Sequence, residues 1–401
     1  MAITRIEIND FLVFKGEFVC DFHPGVNVII GSNGTGKTTL LKCFNAALAS
    51  EKDISASSSL HRQEKETRTG TFRFIPERHF SWRKTVPPSS GAPATYRVAV
   101  TATNVDSKSV TTTAKTPPPD NHPDGWYIHK PEQGGNIVVK SHIFIPEFDL
   151  LKVVQHFKRE IDLLVNGHSD SGTQWFNENV LSQEQNKNGN LDRLIEDLIL
   201  LYCPDAESRS LFIQLLNLAN TARTAFYTEK KAMEICDKIS SLLNENGYAF
   251  SGITFSQDAQ SFVFSNGVSA TYEASGIRRF GLLWLLLRYH LLELHNSSVL
   301  FWDEPENSLN PELIPVLAEI LLELQRRGVQ IFLATHSEIL ATYLDTLRRD
   351  SDSVMFYSLY KAGGHIRAVS SSRFDLLTPN TLTAEQVKLY EKEIGKSLGN
   401  G

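Results

Sequence analysis

Three carboxylates, Asp303, Glu304 and Glu306, crowd behind an apolar run in "LFWDEPENSLNP". Two carboxylates about 4 Å apart repel by about 4 kcal/mol at an effective dielectric near 20, so such a pair implies a bound cation or separate tasks. A cation-bearing ligand is suggested far upstream by "GSNGTGKT", Gly31 to Thr38. Gly31, Gly36, Lys37 and Thr38 fit the pattern GxxxxGK[ST]. In that pattern the backbone N–H groups of Gly31, Ser32, Asn33, Gly34, Thr35 and Gly36 cradle phosphates, with Thr38 and Thr39 opening the following helix. Lys37 then reaches the β and γ phosphates of ATP, and Thr38 ligates Mg2+.

Such chemistry needs elements that bring both segments to one place. Val26 to Ile30 is a β-branched run of the buried-strand kind, and Thr38 to Phe44 reads as a helix start, giving strand, loop and helix in order. Val299 to Trp302 predicts a second buried strand, with Asp303 at its end holding the Mg2+ and Glu304 directed elsewhere to polarise an attacking water. Glu306 reads as a supporting or helix-entry residue. Pro311 begins a helix with apolar spacing at Ile314, Leu317, Ile320, Leu321 and Leu324; Gly328 ends it, and Val329 to Ala334 is a further strand. His336 follows that strand 33 residues after Asp303, a crossover away, and is placed to sense the γ-phosphate.

Composition sets the limits. With 401 residues, 41% hydrophobic, the chain buries one large core or two ordinary ones. Cys20, Cys43, Cys203 and Cys236 lie far apart with no CxxC pair, as reduced core thiols do. The N-terminus lacks a signal-peptide layout and no apolar run approaches the roughly 20 residues that span a bilayer, so a cytoplasmic protein without a membrane partner is expected. The formal charge of −6 argues against coating nucleic acid with the whole surface but leaves a local basic groove open.

Between the two motif halves, "SASSS", "VPPSSGAP" and "KTPPPDNHPDG" punctuate short alternating stretches such as "TYRVAVTAT". Residues 50–146 are therefore expected to form a β-rich lobe with long loops. "HRQEKETRTGTFR" within it is read as a solvated loop or a phosphate contact. Helical spacing over Phe148 to Leu164, Leu191 to Leu201 and Ser208 to Leu243 predicts a helical insertion at 147–246. No sustained heptad repeat joins Lys37 to Asp303, so no long coiled-coil arm is built. Residues 1–49 and 247–370 form the split core, and 371–401 a C-terminal helix and tail. Asp350 and Asp352 precede a strand instead of ending one, so no nuclease centre is read and cutting needs a separate effector.

Taken together, "GSNGTGKT", "VLFWDEPE", "NSLN" and "ATHS" resemble, in kind and order, the ABC-type ATPases of the SMC/RecF class. The resemblance implies an α/β fold: an ABC-type P-loop NTPase head with a small β lobe and a helical insertion. It implies a signature motif at Ser275 and Gly276 in "YEASGIRRFGLLWLLLRYHLLEL", where the class has an LSGG-like sequence and where a simple helix cap is the other reading. Glu147 in "HIFIPEFDLL" stands where the class carries a glutamine. Phe14 or Lys15 in "FLVFKG" is a candidate for the adenine, with Phe11 and Phe14 equally fitted to a core. In that architecture two copies sandwich ATP, each signature serine completing the other's site, with Glu304, His336 and Lys37 as the catalytic set. The pairing of "IFIPE…LL" with "ASGIRR…LLWLLLR" and "FWDEPE…LNP…ELQRRGVQIFLATH" looks closest to the anti-phage defence ATPases of this class, the group of the phage anti-restriction-induced (PARIS) system. That likeness implies a multimeric sensor that holds a toxic nuclease effector until a phage-encoded trigger protein appears. A head-only DNA-repair ATPase of the RecF kind and a transporter subunit are the alternatives.

Overall fold

A computed structural model describes residues 1–50, 97–103, 109–115, 137–166, 203, 206–221, 229–256 and 261–397. The chain opens with strands β1 (Ala2–Phe11), β2 (Phe14–Asp21) and β3 (Val26–Gly31) and helix α1 (Lys37–Ala47). Short strands follow: β4 (Leu48–Ser50), β5 (Arg97–Thr103), β6 (Ser109–Lys115), β7 (Ile137–Val139) and β8 (His142–Ile145). Helices α2 (Leu150–Asn166), α3 (Ala206–Thr221) and α4 (Lys230–Glu245) lead to β9 (Ile253–Ser256) and β10 (Ser261–Phe264). Next come α5 (Ser275–Arg288), β11 (Val299–Asp303), α6 (Ile314–Arg326) and β12 (Gln330–Ala334). The described part ends with α7 (Glu338–Leu347), β13 (Val354–Ala362), β14 (His365–Ser371) and α8 (Thr381–Ser397).

Strands without polar alternation must be covered on both faces, and β3, β11 and β12 are buried along their whole lengths. They sit inside a six-stranded sheet of order β14-β13-β3-β12-β11-β8, parallel except for β14. The period of two sorts their side chains between two cores. Leu300, Trp302, Ile331 and Leu333 face a core shared with α4, α5, α6 and α7. Val299, Phe301, Phe332 and Ala334 face the other, where Phe44 of α1 and strands β1 and β2 pack. On that side Phe44 lies 4.7 Å from Phe332 and 6.2 Å from Phe301 between ring centroids.

A second, antiparallel sheet of order β2-β1-β5-β6 covers the α1 side. Register pairs Ile6 with Val100 and Ile8 with Val98, so the alternation of "TYRVAVTAT" buries its apolar half against β1. Gln330 stitches the two sheets: its side chain accepts from Ile3 N at 2.8 Å and donates to Ile3 O at 2.8 Å and His23 O at 2.7 Å. Described strands of residues 50–146 pair with strands far away in the chain. The described strands there do not stand apart as a lobe: β5 and β6 extend the sheet begun by β1, and β8 is the edge of the central sheet, with His142 opposite Val299. Backbone pairing across about a hundred residues carries no local sequence signal.

In the expected helical insertion, α2 overlaps the predicted 148–164 and runs two residues past it, and α3 and α4 share the predicted 208–243, overrunning it by two residues at either end, while 191–201 lies outside the described residues. The loop "HRQEKETRTGTFR" lies outside them too. Gly363 and Gly364 turn the β13–β14 hairpin, with Ala362 opposite His365. All four cysteines are buried and none is in a disulfide. Among the described residues no helix is long and apolar enough to cross a membrane.

Candidate functional site

Strands β3, β12 and β11 run parallel and adjacent, so their carboxyl ends open on the same edge of the sheet, the usual place for ligands in open α/β sheets. The loop from Gly31 to Gly36 leaves β3 there and turns into α1, which starts one residue earlier than expected, at Lys37. Two of its glycines are sterically required. A Cβ on Gly31, at φ 154°, would lie 2.4 Å from Leu359 O, and one on Gly36, at φ 91°, would lie 2.7 Å from Val13 Cγ2. Within the loop the Thr35 hydroxyl donates to Ser32 O at 2.8 Å, while Ser32, Asn33 and Gly34 face solvent and Thr39 is partly buried.

Parity puts Asp303 on the same side of β11 as Val299 and Phe301, the side of α1. There the Thr38 side chain hydrogen-bonds it. Burial pushes the Asp303 carboxyl up to about 6; the Thr38 hydrogen bond pulls against this, while the charges of Glu147 and Glu304 add to it. Its Oδ1 is buried with no hydrogen-bond partner among the described residues. A buried carboxylate with an open oxygen beside a threonine hydroxyl fits a hard divalent cation such as Mg2+, which takes oxygen ligands and lowers the cost of burying the charge. Thr38 and Asp303 are the residues that would hold it.

Glu304 leaves the strand with φ at 46°, a left-handed conformation that costs a non-glycine residue about 1–2 kcal/mol. A hydrogen bond from its N–H to Ala334 O, 2.8 Å, fixes the turn. Its Oε1 lies 3.6 Å from His336 Nε2. His336 Nε2 in turn lies 2.8 Å from Lys37 Nζ, which also donates to Gly31 O at 2.9 Å. An ammonium can only donate, so Nε2 accepts and the imidazole proton sits on Nδ1. Burial holds the pKa of both groups below the ordinary range, and the Lys37 charge further lowers that of His336.

Sequence reasoning placed Glu306 only loosely. Its Oε1 accepts from the Thr335 hydroxyl at 2.6 Å and from the His336 backbone N–H at 3.0 Å, tying the acidic loop to the residue before the histidine and to the histidine itself. Thr335 also accepts from Ser337 N at 2.9 Å, and Ser337 caps α7 by accepting from Leu340 N at 3.1 Å. Arg279 was missed entirely. Buried in α5, it donates to Glu147 O, and burial lowers its pKa against the opposing charges of Asp149, Glu306, Glu304 and Glu147. Its neighbour Arg278 is held by Asp149 and by Ala270 O. Only the double arginine in an otherwise apolar helix could have flagged the pair.

Ser275 and Gly276 open α5 as expected, but the serine does not cap it: the cap position is Ala274 and no side-chain cap bond forms. Instead the Ser275 hydroxyl approaches Ser308 O at 3.5 Å, and a Cβ on Gly276 would meet Leu309 Cδ2 at 3.1 Å. Glu147 follows β8 with its side chain exposed and its carbonyl used by Arg279 and, at 3.5 Å, by the Asn307 side chain. Of the adenine candidates, Phe11 and Phe14 are core residues, and Lys15 is exposed. Asp352 pairs with Arg326 at 2.6 Å.

Curated and structural relatives bear on this geometry unequally. The chain is 38% identical over 68 residues to the DNA replication and repair protein RecF of Acidothermus cellulolyticus (strain ATCC 43068 / DSM 8971 / 11B), a match spanning 16% of this chain and 18% of that one. It therefore spans less than a fifth of that relative's length. Two solved structures are similar at low identity. One is the SMC head domain from Thermotoga maritima, 14% identical with TM-score 0.43, covering 92% of this chain and 99% of that one. The other is the Smc head domain with an extended coiled coil bound to the C-terminal domain of ScpA from Pyrococcus furiosus, 14% identical with TM-score 0.45, covering 98% and 99%. Likeness at these scores says nothing of activity. Residues 125–341 match the family described as "AAA domain, putative AbiEii toxin, Type IV TA system", a span that holds Ser275, Asp303, Glu304 and His336 while the loop of Lys37 precedes it. With more than half its length inside that match, and with a P-loop α/β fold around it, the chain belongs to this AAA-domain family.

Proposed function

We propose that the chain binds ATP with Mg2+ and hydrolyses it, and that a second copy of the chain completes the site. The observation that carries this reading is the meeting of Lys37, Thr38, Asp303, Glu304 and His336 at the carboxyl ends of adjacent strands. Thr38 and Asp303 would hold Mg2+, which when bound would neutralise phosphate charge. The chain's own groups do the rest. Lys37, now held by Gly31 O and His336 Nε2, turns to phosphate oxygens, and the loop N–H groups hold the triphosphate. Glu304, bent out of the strand, orients a water and takes up its proton, with His336 beside it toward the γ-phosphate. Ser275 and Gly276, at the N-terminus of α5, contact the γ-phosphate held by the other copy, so that loss of that phosphate loosens the pair.

On this reading the chain is the ATP-driven sensor of a bacterial anti-phage system of the PARIS kind, holding a separate nuclease effector and releasing or activating it when a phage-encoded trigger protein is met. Support comes from the family description, which names a toxin of a toxin–antitoxin system. Phosphate release by the purified protein, absent in Lys37→Ala, tests the ATPase. Phage challenge of cells carrying the gene with its genomic neighbours tests the defence role; equal plaquing with and without the genes would end it. A second reading, a RecF-like DNA-repair ATPase, is favoured by the 38% identical segment. A salt-sensitive, ATP-dependent gel shift by the protein alone would select it.

A further inference from the structure

Between Asp303 and the switch histidine lies a carboxylate that the motif pattern does not assign. Glu306 Oε1 accepts two hydrogen bonds, from Thr335 Oγ1 at 2.6 Å and from His336 N at 3.0 Å. Both donors belong to the segment that leaves β12 and carries the imidazole to Lys37. Bonds of this kind, to an ionised acceptor, are short and directional. The same loop closes on itself, with Leu309 N donating to Glu306 O at 3.0 Å, and meets α5 where Ser308 O receives the Ser275 hydroxyl at 3.5 Å. Glu306 therefore sits where the acidic loop, the α5 terminus and the histidine segment meet.

We infer that Glu306 is a positioning residue for hydrolysis, setting the place of His336 through its backbone N–H and through Thr335. The carboxylate touches neither the phosphate-binding lysine nor the metal-ligand pair through any hydrogen bond described, and it acts on turnover through the histidine. A displacement of His336 by about an ångström costs on the order of 10- to 100-fold in rate when the reacting groups must stay aligned. The inference rests on the reading of this pocket as a hydrolytic ATP site.

Measuring ATP affinity with a fluorescent ATP analogue, together with kcat across pH, for wild type, Glu306→Ala, Glu306→Gln and Thr335→Val separates the cases. Glu306→Ala is expected to lower kcat about 10- to 100-fold while leaving ATP affinity within about threefold. Glu306→Gln keeps the acceptor oxygen and recovers most of that turnover. Thr335→Val, which removes one donor, gives an intermediate loss. His336 is faced by Lys37 from α1, by Glu304 from the end of β11 and by Glu306, and of these the two carboxylates raise its pKa. Removing the Glu306 charge in either variant therefore moves the histidine limb of the kcat profile to lower pH. Unchanged kcat in Glu306→Ala, or equal losses of kcat, affinity and melting temperature in the Ala and Gln variants with no shift of the limb, overturns the inference in favour of a purely structural carboxylate. ATP binding without turnover by the wild-type protein overturns the hydrolytic reading and this one together, whereas wild-type turnover with an indifferent Glu306 removes this one alone.

Discussion

The face around Lys37 and the face around Ser275 are built on different terms. In the first, side chains hold one another within the chain: Lys37 bonds Gly31 O and His336, the His336 backbone bonds Glu306, and Thr38 bonds Asp303, whose Oδ1 is left open. In the second, the Ser275 hydroxyl reaches Ser308 O at only 3.5 Å and caps nothing, and Tyr272, three residues before it, is 83% exposed. Preorganised groups lose little on binding a ligand, and groups left to solvent gain when something covers them. The pocket is thus prepared inside one chain, and on the proposed reading the α5 terminus, with Ser275 half-buried, is where a second copy would be met.

Breaking the first face should have the largest effect. Lys37→Ala removes the cation of the loop and is expected to weaken ATP binding by about 100-fold or more, read by titration with a fluorescent analogue; tight binding by the variant would contradict the phosphate-cradle reading. Glu304→Gln should bind ATP normally and lose on the order of 100-fold in turnover, trapping a closed dimer visible by light scattering; unchanged turnover would remove Glu304 from the chemistry. Against the second face, Ser275→Arg should leave ATP binding by one chain nearly intact while abolishing ATP-dependent dimerisation and lowering turnover about 10-fold, and an unaffected dimer would collapse the contrast between the two faces. The smallest effect is the control. Asp352 is only 1% exposed in its side chain and pairs with Arg326, remote from both faces, and Asp352→Asn should cost about 2 kcal/mol of stability without touching ATP turnover.

That control carries a pH signature. Burial works to raise the Asp352 pKa, but the hydrogen bonds from the Arg326 side chain and the Arg349 backbone, together with the charges of both arginines, outweigh it and the carboxyl stays below its ordinary range. A depressed acid stabilises the fold above the unfolded pKa, and the gain is lost as pH falls through the folded value. Urea midpoints of wild type and Asp352→Asn should therefore differ most near neutral pH and converge in strong acid.

Much of the candidate site's layout was legible because it is local. Glycines at fixed offsets before Lys37, an apolar run ending in Asp303 and another ending two residues before His336 each declare strand, turn and residue within a dozen positions. What was not legible depends on pairings across the chain. Gln330 binding Ile3, β5 lying on β1, and Glu306 accepting from His336 have partners set by the tertiary fold, to which the period of a sequence is blind. Phe14 shows the same limit: an aromatic beside the P-loop suggests a base to stack on, and only packing shows that its ring lies wholly in the core beneath Gly36.

The strand order has a consequence for synthesis. β3, which carries the phosphate loop, is flanked on one side by β12 and on the other by β13, so both of its edges are completed by residues 330–362. A ribosome that has made the first three hundred residues has exposed an apolar strand with neither neighbour yet available, a long-range closure of the slow, aggregation-exposed kind. Nascent chains of this protein are accordingly natural clients for a holding chaperone, and no amino-terminal fragment ending before β12 can assemble the pocket.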